Sequence, residues 1–236
     1  MDTIAPDGAV VLLSGGQDST TCLYWALKRW KKVTALTIVY GQRHVVEVDA
    51  AKKIAEDAGV PHEILELPKL LKGTSPLVND NEEVGQYESA EDLPGGIEPT
   101  FVPCRNILFL TIAANRAACL GYSNIITGVC EEDYGGYPDC RSDFIGRMED
   151  ALVAGIWGAE SDKNIMVHTP LMWLTKKASV DLAISLPGCM EALAYSHTCY
   201  NGSVPPCGKC HACLLRAKGF SDAGVADPLV ERLAAV

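Results

Sequence analysis

Residues 12–23, LLSGGQDSTTCL, carry an apolar run into Ser14-Gly15-Gly16 and resume at once with a helical pattern. Upstream, AVVLL (9–13) is short, apolar and β-branched with no polar alternation, as expected of a strand buried on both faces. Downstream, DSTTCLYWALKRWK (18–31) sets Leu23, Ala26, Leu27 and Trp30 on one apolar stripe at helical spacing. A strand that passes into a helix through two glycines builds an anion site. The glycines let backbone N–H groups turn into one concavity, and the helix adds unpaired amides and the positive end of its dipole. Ser14, Ser19 and Thr20 add hydroxyl donors, and Asp18 suits either a cap or a Mg²⁺ held between phosphates. A plain capped turn accounts for one glycine and one cap, but not for Gly-Gly with Asp, Ser, Thr and Thr together. The loop has neither the Gly-Lys-Ser/Thr of a Walker A motif nor a G-x-G-x-x-G fingerprint.

The same alternation continues outward. VTALTIVY (33–40) reads as a second strand, residues 44–59 as a helix stopped at Gly59-Val60-Pro61, and HEILEL (62–67) as a third strand. This β-α-β-α-β rhythm predicts a parallel sheet with right-handed crossovers. Residues 72–104 are rich in Pro, Gly, Asp and Glu without a period, which marks a functional loop or lid. Order returns with a helix at 106–120, a strand at 124–129, a polar loop at 130–141, a helix at 142–157, a strand at 165–171 and a helix at 176–186. We expect one α/β domain over residues 1–187 and a small C-terminal unit over 188–236.

The chain has 236 residues, 48% of them hydrophobic and 21% charged, ordinary values for a globular domain. A net charge of −10 without a basic tract argues against a general nucleic-acid binder. No stretch approaches the roughly 20 apolar residues of a membrane span, and the first residues lack a basic, signal-like segment. A cytoplasmic location is the expectation, and there ten cysteines point to metal ligation or buried thiols rather than disulfides.

Cys199, Cys207, Cys210 and Cys213 have C-x₇-C-x₂-C-x₂-C spacing within a Gly- and Pro-turned segment. Four thiolates so close suit one tetrahedral Zn²⁺, and a full set of four protein ligands makes that metal structural. His197 and His211 stand beside the cysteines and are read as neighbours rather than ligands.

Ligands in open α/β sheets bind beyond the carboxyl ends of the strands. The stretch after residue 129 lies on that side with Glu131, Glu132, Asp133, Tyr134, Tyr137, Asp139 and Arg141, while Arg105 and Asn106 enter a helix just after the long loop, where Asn106 equally suits an N-cap beside a solvated Arg105. Arg105 offers a fork to a carboxylate or phosphate. The tyrosines can stack a flat heterocycle, and Asp139 can accept its N–H donors. Lys176, at the start of the last helix, is placed to neutralise charge on a leaving pyrophosphate.

SGGQDS resembles the loop of the PP-loop ATP pyrophosphatases. Together with YGQRH, FVPCRNILF, ITGVCEEDYGGYPDCRSDF, HTPLMWL and TCYNGSVPPCGKCHACLLRAKGF, it resembles the 7-cyano-7-deazaguanine synthase family over residues 9–220. The resemblance implies a Rossmann-like α/β PP-loop domain of the adenine nucleotide α-hydrolase type and a Cys₄ zinc subdomain. It implies ATP contacts from Leu13, Ser14, Gly15, Gly16, Gln17, Asp18, Ser19, Thr20, Thr21, Cys22 and Leu23, with Mg²⁺ accompanying ATP. It also implies one structural zinc on the four cysteines, and the small-molecule substrates ATP, 7-carboxy-7-deazaguanine and ammonia. A homodimer is expected; a nucleic-acid or membrane partner is not. Asp18, Lys176 and Arg105 are the expected catalytic residues, and Arg105, Asn106, Glu131, Tyr137, Asp139 and Arg141 the expected substrate contacts. The family usually has glycine at Cys104 and an acid at Ala178; the first departure would narrow the substrate mouth, and the second would remove a partner of Lys176 or of a nearby backbone group. An alternative is a related enzyme that adenylates a deazaguanine-type carboxylate and passes it to a different amine.

Overall fold

The computed structural model describes residues 5–42, 46–131 and 136–235. Five parallel strands, β1 (Ala5–Leu12), β2 (Trp30–Val39), β3 (His62–Glu66), β4 (Asn124–Ile126) and β5 (Met166–His168), form one sheet in the order β3-β2-β1-β4-β5. Helix α1 (Gln17–Leu27) connects β1 to β2, α2 (Val46–Asp57) connects β2 to β3, and α3 (Arg105–Leu120) precedes β4. Helix α4 (Ser142–Trp157) lies between β4 and β5, and α5 (Lys176–Ser185) follows β5.

Strand β1 is central because both its faces are apolar. Ala9, Val11 and Leu13 pack with Leu23, Ala26 and Ile54 on one side, whereas Val10 packs with Leu110, Ala114 and Ile125 on the other. Burying each large side chain of this kind contributes about 1.5–3 kcal/mol. The strand order reverses direction at β1, so the crevice at its carboxyl end, between β1 and β4, is the topological switch point.

The helix expected to reach residue 31 ends at Leu27. Trp30 instead opens β2, its ring packed against Trp25 and His168, so tertiary packing takes it from the helical stripe. The strands expected to end at 129 and 171 are short, because Gly128 must pass α1 and residues 169–174 turn back on themselves. Residues 44 and 45 of the second expected helix, and Glu132, Asp133 and Tyr134, lie outside the described residues.

Beyond α5 come α6 (Cys189–Leu193), α7 (His211–Ala223) and α8 (Pro228–Ala234). Val180, Leu186, Leu193 and Phe220 form their own apolar cluster, with Tyr24 and Trp25 of α1 packed against it. Arg216 of α7 ties the group together: it bonds both carboxylate oxygens of Asp227, at 2.6 and 2.8 Å, and Ser196 Oγ at 2.8 Å. The long segment 72–104 stays irregular apart from one 3-10 turn at Ala90–Asp92. It is nonetheless anchored: Tyr87 N donates to Lys209 O at 2.9 Å, and Val84 packs on the cysteine cluster.

Candidate active site

The turn from β1 into α1 is built around one close approach. Gly15 has φ +91°, and a Cβ there would lie 2.1 Å from the Glu47 carbonyl oxygen. Only glycine lets the loop pass the start of α2. Gly15 O accepts His197 N at 2.8 Å, which fastens the loop to the cysteine segment. Ser19 and Ser14 stitch it internally: their hydroxyls are 3.0 Å apart, and Ser19 Oγ donates to Gly16 O at 3.1 Å. Just past β4, a Cβ on Gly128 would lie 3.1–3.3 Å from Asp18 and Ser19, so the chain leaving β4 passes α1 through a second glycine.

A cavity of about 330 Å³ opens over this turn, within the usual size of small-molecule sites. Of the residues expected at ATP, Leu13, Ser14, Gly16, Gln17, Asp18 and Ser19 line it. Thr20 and Thr21 turn their hydroxyls back onto the Gly16 and Gln17 carbonyls, at 2.7 and 3.0 Å, while Cys22 and Leu23 are buried in the core behind. Gly15 acts through the backbone as above. Lys176, the first residue of α5, reaches the loop from the other side, its Nζ donating to Asp18 Oδ2 at 2.7 Å. Gln17 Nε2 and Asp18 Oδ1 are buried without a hydrogen-bond partner. A ligand or ordered water in the cavity would complete this buried donor and acceptor.

Arg105 and Asn106 start α3 and line the opposite wall with Tyr137. Asp139 does not line the cavity; it accepts Asn106 N at 3.3 Å, and its backbone oxygen accepts Asn106 Nδ2 at 3.0 Å. Burial raises its carboxyl, with the Asn106 amide and Arg105 pulling it down. It therefore sets the two residues rather than contacting the space they face. Glu131 is turned away: its Oε1 accepts Ser142 N at 2.6 Å and caps α4, and this bond lowers its carboxyl. Arg141 is exposed and donates to Gly136 O at 3.4 Å, outside the cavity wall.

Several wall residues were assigned no role from the sequence, although Tyr40 falls in YGQRH and Thr198, Tyr200, His211 and Arg216 fall in the cysteine block. Tyr40, at the end of β2, bonds Arg105; burial works against the guanidinium charge, and Tyr40, Tyr200 and Tyr137 hold it protonated. Burial pushes the Glu47 carboxyl up to about 7, Arg105 opposing and Cys199 adding to the rise. Thr37, Thr198, Tyr200, His211 and Arg216 also line the space. The available signal was topological: Thr37 lies near the carboxyl end of β2 and Tyr40 just past it, whereas Glu47 is in the first turn of the helix against which Gly15 packs.

Cys104 has φ +64°, the only non-glycine residue with positive φ among the described residues, and its exposed side chain is not part of the cavity wall. Ala178 sits in the first turn of α5, where its N–H donates to the Thr175 hydroxyl at 3.2 Å. Neither departure touches the cavity. Lys176 has its partner in Asp18, not in a residue two places on.

The sulfurs of Cys199, Cys207, Cys210 and Cys213 all lie within 4.8 Å of one another, with Cys207 and Cys213 3.9 Å apart. A tetrahedral ion with metal–sulfur bonds of about 2.3 Å needs sulfurs about 3.8 Å apart, so the four fit one metal ion. Cys210 N and Asn201 Nδ2 point at Cys207 Sγ, at 3.3 and 3.4 Å, and Cys207 N points at Cys199 Sγ at 3.4 Å. Such donors stabilise thiolate charge. No helix among the described residues is long and apolar enough to cross a membrane.

The parallel sheet, the glycine turn at its switch point and the cation reaching across it define a PP-loop nucleotide-binding α/β protein with a four-cysteine, metal-competent segment. Residues 8–224 match the family described as "Queuosine biosynthesis protein QueC", and the chain belongs to that family. Similar curated proteins include the 7-cyano-7-deazaguanine synthase of Gloeobacter violaceus, 53% identical over 225 residues and covering 94% of each chain. That of Chromobacterium violaceum is 49% identical over 234 residues, covering 98% of this chain and 97% of the other. The ammonia-dependent NAD synthetase structure from Campylobacter jejuni is 16% identical, covering 97% of this chain and 82% of that one, with a TM-score of 0.44.

Proposed function

We propose that this chain is an ATP-dependent ligase that converts 7-carboxy-7-deazaguanine and ammonia into 7-cyano-7-deazaguanine. The observation that carries the reading is the Asp18–Lys176 pair at the mouth of the glycine turn, beside the open Gln17 Nε2 and Asp18 Oδ1. Amides at the start of α1 and the hydroxyls of Ser14 and Ser19 hold the β,γ-phosphates of ATP, and Lys176 faces the charge that grows as pyrophosphate departs. Asp18 Oδ1 is the carboxylate oxygen left to bind Mg²⁺, which would screen the phosphates. Arg105, set by Asn106 and Asp139, takes the substrate carboxylate, and Tyr137 lies against the heterocycle. The carboxylate oxygen attacks the α-phosphorus, and the phosphorus–oxygen bond to pyrophosphate breaks. Ammonia then displaces AMP from the acyl carbon to give the amide. A second activation at the amide oxygen releases AMP again as the nitrile forms. Positioning and charge stabilisation carry most of the catalysis.

The four cysteines are the ligands of one structural zinc, and the protein is a cytoplasmic homodimer that handles small molecules and no nucleic acid. Because Cys104 and Ala178 lie off the cavity, neither departure favours a different amine acceptor. The test is a product assay with the carboxy substrate, ATP and ammonium, read by mass: a nitrile with AMP and pyrophosphate supports the reading. An amide of another amine, or AMP without nitrile, overturns it.

A further inference from the structure

Glu47 brings to the cavity a carboxylate that accepts no hydrogen bond and closes no ion pair among the described residues. Arg105 lines the same space and stands within electrostatic reach of it, yet no ion pair joins the two. The other described acids around the site are committed. Asp18 holds Lys176, Glu131 caps α4, and Asp139 fastens Asn106 from outside the wall. Glu47 is therefore the one uncommitted carboxylate on the cavity wall among the described residues.

A carboxylate drawn out of water is costly unless donors replace its hydration. The substrate read above carries such donors where they are needed. Its carboxylate stands at one end of the flat bicycle. At the other end, the ring N–H and the exocyclic amino group of the guanine-type edge point the same way. Two parallel N–H donors match the two oxygens of a single carboxylate, a bidentate and charge-assisted pairing. A cation and an anion held apart on one wall also fix the direction of the molecule. One pose sets carboxylate to Arg105 and donor edge to Glu47; the reverse sets carboxylate against carboxylate and donors against the guanidinium.

We propose that Glu47 is the specificity-determining residue for the heterocycle, its two carboxylate oxygens accepting the ring N–H and the 2-amino group of the deazaguanine. The proposal rests on the reaction read above. The sequence places recognition of the heterocycle's N–H donors on Asp139; the fold sets Asp139 behind the wall and brings Glu47 into the space instead. Tyr137, its hydroxyl fixed to Thr100 Oγ1 at 2.6 Å, lies against the ring between the two charged ends. A site built to bond a pair of donors rejects an analogue that lacks one, because the acceptor is then left open. Glu47 makes and breaks no covalent bond; it selects the ring and aims its carboxylate.

The experiment compares 7-carboxy-7-deazaguanine with its 2-desamino counterpart as substrates at pH 8, with ATP and ammonium saturating. Wild type should favour the amino substrate in kcat/KM by about tenfold or more. Glu47→Gln keeps the shape but turns one of the two acceptors into a donor that faces a donor. KM for the amino substrate should then rise by about tenfold or more, and the preference between the two substrates should shrink to roughly twofold. KM for ATP should stay within about twofold of wild type. A preference that survives the substitution overturns the proposal. So does a rise in the ATP KM alone, which would assign the carboxylate to the nucleotide. A second measurement needs no variant: wild-type protein is titrated calorimetrically with each heterocycle in the absence of ATP, and equal affinities overturn the proposal. If wild type makes no nitrile from the carboxy substrate, the reaction reading fails, and the calorimetric comparison still decides whether the amino edge is read.

Discussion

Lys176 and Asp18, 158 positions apart in the chain, meet through a 2.7 Å bond between Nζ and Oδ2. Asp18 stands in the first turn of α1 and Lys176 opens α5, so the bond joins the N-termini of two helices over the glycine turn. The two side chains are 27% and 15% exposed, and the pair therefore sits at the rim of the cavity rather than in free solvent.

Asp18→Asn keeps the shape and the first-turn position but removes the charge that holds both Lys176 and, in the reading above, a Mg²⁺. Turnover is expected to fall by about 10²-fold or more, the scale of losing one preorganised electrostatic group. Metal content and far-ultraviolet circular dichroism should stay at wild-type values. Turnover within a few-fold of wild type would take the loop out of the chemistry.

Cys104 occupies the left-handed region, with φ +64° and ψ 5°, immediately before α3. A side chain there costs about 1–2 kcal/mol, whereas a new glycine loosens the unfolded chain by roughly 0.4–1 kcal/mol. Cys104→Gly should therefore raise the thermal midpoint by about 2 °C. Because the side chain is exposed and off the cavity, KM and kcat should not move. A lowered midpoint would show that the thiol makes a stabilising contact.

Thr175 caps α5 by accepting the Ala178 amide, but residue 178 offers nothing back to the Thr175 amide. Ala178→Glu completes the reciprocal pair and places a negative charge in the first turn, which is worth about 0.5–1 kcal/mol. A small rise in the denaturant midpoint with unchanged slope is expected. No change would mean that the new carboxylate stays in solvent.

The glycine turn and the cysteine spacing were legible because each is local: a few adjacent residues carry both the geometry and the chemistry. The β-α alternation likewise predicted the parallel sheet and its crossovers, but not the order of its strands, which long-range pairing sets. Trp30 was misplaced because a helical stripe and a strand start both bury a tryptophan, and only its packing on Trp25 and His168 separates them. Glu131 carries the same functional groups as a substrate acid, yet caps α4 instead; that choice depends on where Ser142 falls in space. Glu47 was silent because long-range packing brings it to the cavity, whereas Tyr40 and His211 lie in quoted blocks whose place on the cavity wall only the fold shows.

Removing the metal should loosen the cysteine segment and spare the sheet. The contacts of Cys207 and Cys210 amides with cysteine sulfurs depend on the cluster, whereas Arg216 holds α7 to Asp227 and Ser196 independently. Metal analysis is expected to give about one zinc per chain. After chelation, hydrogen exchange should rise over residues 199–210 and stay slow in β1 and β2. Equal protection before and after chelation would sever the metal from the fold.

Glu47 supplies a pH dependence with a definite sign. Burial lifts its carboxyl from 4.5 to about 7 in the folded protein, so the native state binds a proton that the unfolded chain has released. Stability from this group is therefore complete below its unfolded value, and it declines as pH rises toward 7. In Glu47→Gln that decline disappears. The difference in thermal midpoint, variant minus wild type, should grow between pH 5 and 7.5, whatever the other titrating groups contribute to both. A difference that is flat over this range would mean that Glu47 is ionised without cost, its charge balanced by Arg105 across the cavity.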